Sequence, residues 1–245
     1  MAPERIVTLV PSLTELIWWL GAGDRLAGRT RFCVEPAGEI ERVPVVGGTK
    51  NPDLSRIVEL APDLVVANKE ENRREDVGAL QAAGLDVLLT DPCSVAEAIA
   101  LVRELGRLLD VEERAEQLAA DSEAALAEFA PVRGTRVFVA IWKKPLMGLG
   151  GATYGHDLIE RCGAINVLGG RARYPEVTME DVRLLAPDLV LLPDEPYPFA
   201  GGDREIFAPF APVHFVDGRL LWWYGPRMPA AIRGLRAVLA GVSAQ

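Results

Sequence analysis

The segment LAPDLVV occupies residues 60–66, and LAPDLVL follows 125 residues later, at 185–191. Six of the seven positions are identical, in a chain of 245 residues that is otherwise not repetitive. In each copy the Pro-Asp pair is a turn signal, and the short apolar run after it has the length of a strand buried on both faces. The pattern predicts one helix-to-strand turn that is used twice.

A second pair of segments recurs in the same order. ELIWWLGAGDRLAG at 15–28 matches DLIERCGAINVLGG at 157–170, and in each copy leucine and isoleucine recur at helical spacing before a glycine. Two matches in order indicate a duplicated unit of strand, loop and helix. We therefore predict two α/β lobes with parallel sheets. Cys162 aligns with Leu20, so we expect it to be a core residue.

The region between the lobes has a different composition. Residues 94–130 are rich in Ala, Glu, Leu and Arg with apolar residues at helical spacing, which predicts two helices at about 94–109 and 111–129. The predicted organisation is an N-terminal lobe at 1–93, connecting helices at 94–130 and a C-terminal lobe at 131–245.

Composition and motifs exclude several functions. The formal charge of −9 argues against nucleic acid as a partner, and no apolar run approaches the roughly 20 residues of a transmembrane helix. The chain has three cysteines without a C-x-x-C pair and two histidines, a poor set for a metal site. Phosphate-binding glycine motifs, G-x-S-x-G and H-E-x-x-H are all absent. We predict neither catalytic residues nor an intrinsic cofactor.

Binding residues are expected where the predicted parallel strands end, because ligands of α/β sheets bind beyond the carboxyl ends of the strands. Aromatic residues are frequent in the corresponding loops of the second lobe, which suits a large, flat, partly apolar ligand in a cleft between the lobes. The candidate ligand-binding residues are Pro11, Ser12, Arg31, Phe32, Gly48, Asn68, Glu70, Trp142, Lys143, Tyr154, Glu195, Tyr197, Phe199, Trp223 and Tyr224.

Three local expectations accompany these candidates. Ser12 and Glu15 have the spacing of a helix capping box. Trp222 and Trp223 are interpreted as alternating in a strand, with Trp223 directed toward the ligand. His156 aligns with the first turn of a helix, where a structural role is favoured over ligation.

The chain resembles the helical-backbone periplasmic binding proteins of ABC importers, which serve cobalamin, haem and ferric siderophores. The resemblance is carried by RIVTLVPSLTELIWWLGAGDRLAGRTRFCVEP (5–36), VGGTKNPDLSRIVELAPDLVVA (46–67), CGAINVLGG (162–170) and YPEVTMEDVRLLAPDLVLL (174–192). The P-S-x-T-E start and the G-x-[ST]-x-[FY]-C-x-x-P pattern, here Gly28 to Pro36, are most similar to the cobalamin-binding branch.

This resemblance implies two Rossmann-like lobes joined by a backbone helix, with a metal chelate, most simply a corrinoid, bound between them. It implies a monomer that docks to an ABC permease dimer through one glutamate on each lobe, and Glu75 and Glu180 are the candidates. It also implies a periplasmic or extracellular location. A cytoplasmic location is the alternative, because the N-terminus shows no signal peptide.

Other ligands and functions stay open at this point. The alternatives are a haem or ferric-siderophore binding protein, and a cytosolic protein or enzyme that handles a tetrapyrrole or metal cofactor on the same scaffold. His156 or Cys33 is a further candidate, as an axial ligand to the metal of the chelate.

Overall fold

A computed structural model describes residues 1–128 and 134–243 of the chain. Residues 129–133, at the predicted boundary between the connecting helices and the second lobe, lie outside the described residues. The chain divides into two compact units. Unit 1 comprises Met1–Asp91, Ile99–Ala120 and Tyr224–Pro226, and unit 2 comprises Pro92–Ala98, Asp121–Trp223 and Arg227–Gln245.

Unit 1 contains a four-stranded sheet in the order β2-β1-β3-β4, with all neighbouring strands parallel. Its strands are β1 (Ile6–Thr8), β2 (Leu26–Arg29), β3 (Leu64–Asn68) and β4 (Val87–Thr90). Its helices are α1 (Pro11–Ile17), α2 (Leu54–Glu59) and α3 (Arg74–Ala82). All five residues of β3 are buried, as the apolar run in the repeat predicts.

Unit 2 contains a five-stranded sheet. Its strands are β5 (Arg136–Lys143), β6 (Leu146–Gly148), β7 (Ile165–Asn166), β8 (Leu189–Pro193) and β9 (Val213–Val216). Its helices are α6 (Tyr154–Arg161), α7 (Met179–Leu185), α8 (Gly201–Phe207), α9 (Arg219–Trp222) and α10 (Met228–Ser243). Strands β7, β5, β8 and β9 pair in parallel and repeat the order of unit 1, while β6 adds an antiparallel edge. The predicted duplication is confirmed.

The connecting region forms two helices, α4 (Val95–Leu108) and α5 (Glu112–Ala127), as predicted. Residues 99–120 of this region belong to unit 1, and the flanking residues belong to unit 2. Gly106 permits the close approach of the helices, because a Cβ at this position would stand 2.3 Å from the Cβ of Ala115. No described helix combines the length and the apolar character that a membrane crossing requires.

The repeated LAPD turn makes the same hydrogen bonds to the start of the first strand in each unit. In unit 1, Ala61 adopts a left-handed φ of 44° after α2, and the Asp63 carboxylate accepts hydrogen bonds from the backbone N–H groups of Glu4 and Arg5, both at 2.9 Å. The Arg5 guanidinium donates to the carbonyl of Leu60 at 2.6 Å. The turn is therefore attached to the start of β1, the neighbouring strand.

In unit 2, Ala186 adopts a φ of 43° after α7, and the Asp188 carboxylate accepts from the N–H of Arg136 at 2.8 Å. The Arg136 guanidinium donates to the carbonyls of Leu185, at 2.7 Å, and Ala186, at 3.1 Å. An arginine at the start of the first strand of each unit thus completes the motif: Arg5 directly precedes β1, and Arg136 is the first residue of β5.

The second repeated segment also has one local structure in both units. Gly21 and Gly163 share a left-handed φ of 92°, which glycine adopts without the steric cost of a Cβ. The predicted capping box at Ser12 and Glu15 is wrong. Val10 is the N-cap of α1 and makes no side-chain cap, because Pro11 occupies the first turn and places Ser12 inside the helix.

Candidate functional site

Asn68 lies at the carboxyl end of β3 and orders this face of unit 1. Its side-chain amide donates to the Tyr224 hydroxyl at 3.0 Å and to the carbonyl of Thr90 at 3.2 Å. Its oxygen accepts from the backbone N–H groups of Glu70, at 2.8 Å, and Glu71, at 3.2 Å. The predicted candidates Asn68, Glu70 and Tyr224 are therefore held in one hydrogen-bonded group.

Tyr224 and Ser12 meet at the same face. Burial raises the pKa of the Tyr224 hydroxyl, although hydrogen bonds with Thr90 and Ser12 oppose the shift. The hydroxyl therefore remains protonated. Gly225, with a φ of 123°, packs against the Leu16 side chain of α1 and fixes the segment that carries Tyr224.

Asn72 is a buried residue that the sequence analysis missed. Its oxygen accepts from the N–H of Asn68 at 2.9 Å, and its amide donates to the carbonyls of Thr49 at 2.9 Å and Leu9 at 3.2 Å. It connects the ends of β1 and β3 to the loop at 47–52. An asparagine four residues after a strand-ending asparagine was the available signal, but their pairing depends on the turn.

The loop after β2 is ordered by a buried arginine. The Arg29 guanidinium donates to the carbonyls of Ile40 at 2.9 Å, Cys33 at 3.0 Å and Thr30 at 3.3 Å. The Cys33 thiol is buried against the hydroxyls of Thr14 and Thr30. Burial raises the pKa of this thiol, so it stays protonated. Burial of the thiol disfavours Cys33 as an axial metal ligand, and that role stays a prediction.

Arg31 and Phe32 are exposed residues of this loop. The Phe32 side chain is 53% exposed, and the Arg31 guanidinium lies 5.8 Å from the centre of its ring. Gly48 belongs to the neighbouring loop, where a Cβ would stand 2.5 Å from the Asn51 amide oxygen and 3.2 Å from the Arg31 guanidinium. Arg31, Phe32 and Gly48 are therefore brought together on unit 1.

Lys50 joins this loop to the turn after β3. Its ammonium donates to the backbone carbonyl of Glu70 at 2.6 Å. Desolvation raises the pKa of the exposed Glu71 carboxyl, with Lys50 opposing the shift and the Glu70 charge adding to it. Glu71 and Lys50 are absent from the predicted set, because a run of acidic and basic residues is usually a solvated face.

In unit 2, aromatic rings extend from the core to the carboxyl end of β5. The Trp142 ring, 40% exposed, meets Tyr197 edge-on at a centroid distance of 5.4 Å, and Tyr197 lies 4.7 Å from Phe199. Phe199 continues to Phe207 in the hydrophobic core at 6.4 Å. Trp142 and Tyr197 thus present ring surface, whereas most of Phe199 is core.

Lys143 is held beside this aromatic group. Its ammonium pairs with the buried Asp203 carboxylate at 2.5 Å, and this hydrogen bond raises the pKa of Lys143. Desolvation opposes ionisation of Asp203, but the bonds from Lys143 and from the N–H of Ala200 hold its pKa below the usual value. Asp203 was missed because its partner is 60 residues away in sequence.

Glu195 and Trp223 form a second group in unit 2. The Trp223 side chain is buried, donates a hydrogen bond to the Glu195 carboxylate and lies 5.2 Å from the Arg227 guanidinium. Burial raises the pKa of Glu195, and the nearby charges of Asp194 and Asp217 reinforce the shift.

The strand predicted at Trp222 and Trp223 is wrong. Trp222 ends the short helix α9, and its indole N–H donates to the backbone carbonyl of Glu195 at 2.9 Å. Gly155 of α6 faces the same ring, since a Cβ there would stand 2.9 Å from it. A pattern of only two adjacent residues is too short to distinguish the period of a strand from that of a helix.

Tyr154 and His156 occupy the first turn of α6, whose N-cap is Thr153. The Tyr154 side chain is buried. His156 is half-buried, and its Nδ1 lies 3.2 Å from the amide nitrogen of Asn166. This contact agrees with the structural role that the sequence favoured. The described residues contain no group of three or more His, Cys, Asp or Glu side chains that could hold a metal ion.

An open pocket of about 390 Å³ lies at the carboxyl ends of β8 and β9 in unit 2. Its walls combine the rings of Phe199 and Phe215 with the carboxylates of Asp194 and Asp217. It is therefore adjacent to the aromatic group, at the edge of the sheet where ligands of α/β units bind.

The two predicted docking glutamates are both exposed, at the start of α3 and of α7. Glu180 makes a bidentate ion pair with Arg183 that lowers its pKa. The repeat offset of 125 residues aligns the N-caps Asp53 and Thr178, and therefore aligns Glu180 with Ser55. Glu75 and Glu180 do not occupy equivalent positions in the two units.

The sequence is similar to known proteins over most of its length. The sequence model of the family described as "Periplasmic binding protein" matches residues 6–195. The Vitamin B12-binding protein of Salmonella choleraesuis is 31% identical over 196 residues, which cover 78% of this chain and 73% of that protein.

Solved structures share the fold over nearly the whole chain. The periplasmic vitamin B12 binding protein BtuF of Vibrio cholerae has a TM-score of 0.87 at 19% identity and covers 99% of both chains. The periplasmic heme-binding protein RhuT of Roseiflexus sp. RS-1 has a TM-score of 0.80 at 22% identity and covers 98% of this chain and 99% of its own. With a family model matched over more than half of its length and two duplicated α/β units, the chain belongs to the periplasmic binding protein family.

Proposed function

We propose that the protein binds a metal chelate of the corrinoid type and delivers it to an ABC importer. The observation that carries this proposal is the aromatic group of Trp142, Tyr197 and Phe199 at the carboxyl end of the unit 2 sheet. A chelate supplies its own ligands to the metal, so the protein needs ring surface and a few polar contacts. The relatives named vitamin B12-binding protein support cobalamin as the first ligand to test.

Unit 1 supplies polar contacts of the required kind. Glu70 lies in the fixed turn after β3, and Lys50 donates to its carbonyl. Arg31 and the exposed ring of Phe32 lie on the loop beside Gly48. Corrinoids combine an apolar macrocycle face with peripheral amides that both donate and accept hydrogen bonds. The unit 1 face therefore matches the peripheral amides of such a ligand, and the unit 2 face matches its macrocycle.

Calorimetric titration with cyanocobalamin tests this function. We expect one-to-one binding, with a dissociation constant below about 10 μM. Absence of heat and of co-elution at tens of micromolar ligand would reject the corrinoid.

Haem is the second candidate, because the exposed guanidinium of Arg31 has the geometry to pair with carboxylates such as the haem propionates. Parallel titrations with haemin and a ferric siderophore separate these ligands from cobalamin. Saturable binding of haemin, together with no detectable binding of cyanocobalamin, would favour the second candidate.

Delivery implies an ABC permease dimer as partner and a periplasmic or extracellular location. Glu180 is the first docking candidate, because it is exposed and its ion pair with Arg183 keeps it charged. Glu75 is the second. Reconstitution with a candidate ABC permease and its ATPase tests the partner. Glu180→Lys should reduce stimulation of ATP hydrolysis, whereas Glu113→Lys, a control on α5, should not.

A further inference from the structure

The turn that follows β3 presents two acidic side chains on a rigid backbone. Asn68 accepts the N–H groups of Glu70 and Glu71, and the buried Asn72 ties the end of the turn to the carbonyls of Leu9 and Thr49. Since the turn is fixed from both ends, the directions in which the Glu70 and Glu71 side chains leave the backbone are fixed as well.

Two basic side chains, Lys50 and Arg31, lie near these acidic residues. The Lys50 ammonium reaches the backbone carbonyl of Glu70 at 2.6 Å and is close enough to Glu71 to act on its charge. Arg31 is exposed on the adjoining loop, where its backbone N–H donates to the carbonyl of Gly47 at 2.9 Å. The face therefore offers two cations and two carboxyl groups, and its formal charges cancel.

Such a balanced face distinguishes ligands by the chemistry of their periphery. A surface with cations alone attracts carboxylates, whereas a carboxylate placed against Glu70 and Glu71 meets like charge. A carboxamide satisfies both sets of groups, because its N–H donates to a carboxylate and its oxygen accepts from an ammonium or a guanidinium. Glu71 is exposed, so it is accessible to a ligand.

We propose that Lys50, Glu70 and Glu71 select ligands whose peripheral groups are neutral carboxamides over ligands that carry free carboxylates there. This proposal rests on the proposed function and adds the peripheral chemistry by which the site chooses among metal chelates. Glu71 is the main discriminating residue, because its carboxylate repels an anionic group without being neutralised by a close ion pair among the described contacts.

The test compares cyanocobalamin with the isomeric monocarboxylic acids that mild hydrolysis of its peripheral amides produces. For the wild-type protein at pH 7.5, we expect at least one isomer to bind about tenfold more weakly than cyanocobalamin. In Glu71→Gln, the same isomer should bind within about threefold of cyanocobalamin. Glu113→Gln, which makes the same change of charge on α5, should keep the tenfold difference.

The outcomes separate this proposal from the function on which it rests. Cyanocobalamin binding with equal affinity for every acid isomer would overturn the selection by carboxamides and leave the corrinoid function standing. A tenfold difference that persists in Glu71→Gln would overturn the role of Glu71. Failure of cyanocobalamin itself to bind the folded wild-type protein would overturn both proposals.

Discussion

At the scale of single residues, buried amides and hydroxyls order the candidate site of unit 1. Asn68 uses both of its polar atoms, contacting Tyr224 and Thr90 on one side and the turn at 70–71 on the other. A group of this kind is stable only while every member is satisfied, because each unpaired buried atom carries its full desolvation cost.

Replacement of Asn68 by alanine should therefore destabilise the protein by about 2–3 kcal/mol. The substitution leaves the Tyr224 hydroxyl and two backbone N–H groups without this partner. Urea denaturation measures the loss. Gln81→Ala, an exposed amide truncation on α3, should stay within about 0.5 kcal/mol of wild type. Equal stability of the two variants would contradict the structural role of Asn68.

Glu195 makes stability depend on pH. Because burial raises its pKa in the folded protein above the unfolded value, its contribution is full below the unfolded pKa and is lost as the pH rises through the folded pKa. Glu195→Gln is neutral throughout and can still accept from the Trp223 indole.

The Tm of Glu195→Gln should therefore rise relative to the Tm of the wild-type protein as the pH increases from 4 to 8. Thermal unfolding monitored by circular dichroism checks this sign, with Glu113→Gln as the control. A difference that is flat or falls with pH would contradict the assignment.

At the scale of elements, much of the fold could be predicted because the same segments occur twice in the sequence. The repeated Pro-Asp turns and the glycines at 21 and 163 predict strand and helix ends from local chemistry alone. Partners distant in sequence could not be predicted in this way, as the Lys143 pair with Asp203 shows. The short helix α9 was missed because four residues make barely more than one helical turn, too few for a periodic pattern to repeat.

The left-handed alanines of the repeated turn provide a test of this motif. Ala61 and Ala186 hold φ values of 44° and 43°, a region that costs an L-residue more than glycine. Ala186→Gly should raise the free energy of unfolding by about 0.5–1 kcal/mol, and Ala61→Gly should add a similar amount. Ala79→Gly, inside α3, should lower it by about 1 kcal/mol. A loss of stability in all three would show that the turns do not require the left-handed conformation.

The aromatic group of unit 2 is an element-level prediction for binding. Trp142→Ala removes the exposed ring next to Tyr197, so affinity for cyanocobalamin should fall about fivefold, or by about 1 kcal/mol. Little change in Tm is expected, because the Trp142 side chain is 40% exposed. Trp19→Ala, another exposed tryptophan, lies beyond the far end of α1 and should bind normally. Equal affinities of the two variants would remove Trp142 from the site.

At the scale of the whole molecule, the two units repeat one topology and differ in the loops after their strands. Unit 1 ends in amides and balanced charges around Asn68, whereas unit 2 ends in rings around Tyr197. The position of these faces could be predicted from the sequence, because parallel strands gather their carboxyl ends at one edge. The burial of Phe199 and Trp223 could not, since composition does not tell which ring fills the core.

Hydrogen–deuterium exchange with and without cyanocobalamin tests the central claim most directly. The protein should show ligand-induced protection in the loops at the carboxyl ends of both sheets, at residues 30–36, 47–52, 68–72, 142–146 and 193–199. Protection confined to the opposite ends of the strands, or no change at saturating ligand, would contradict the account.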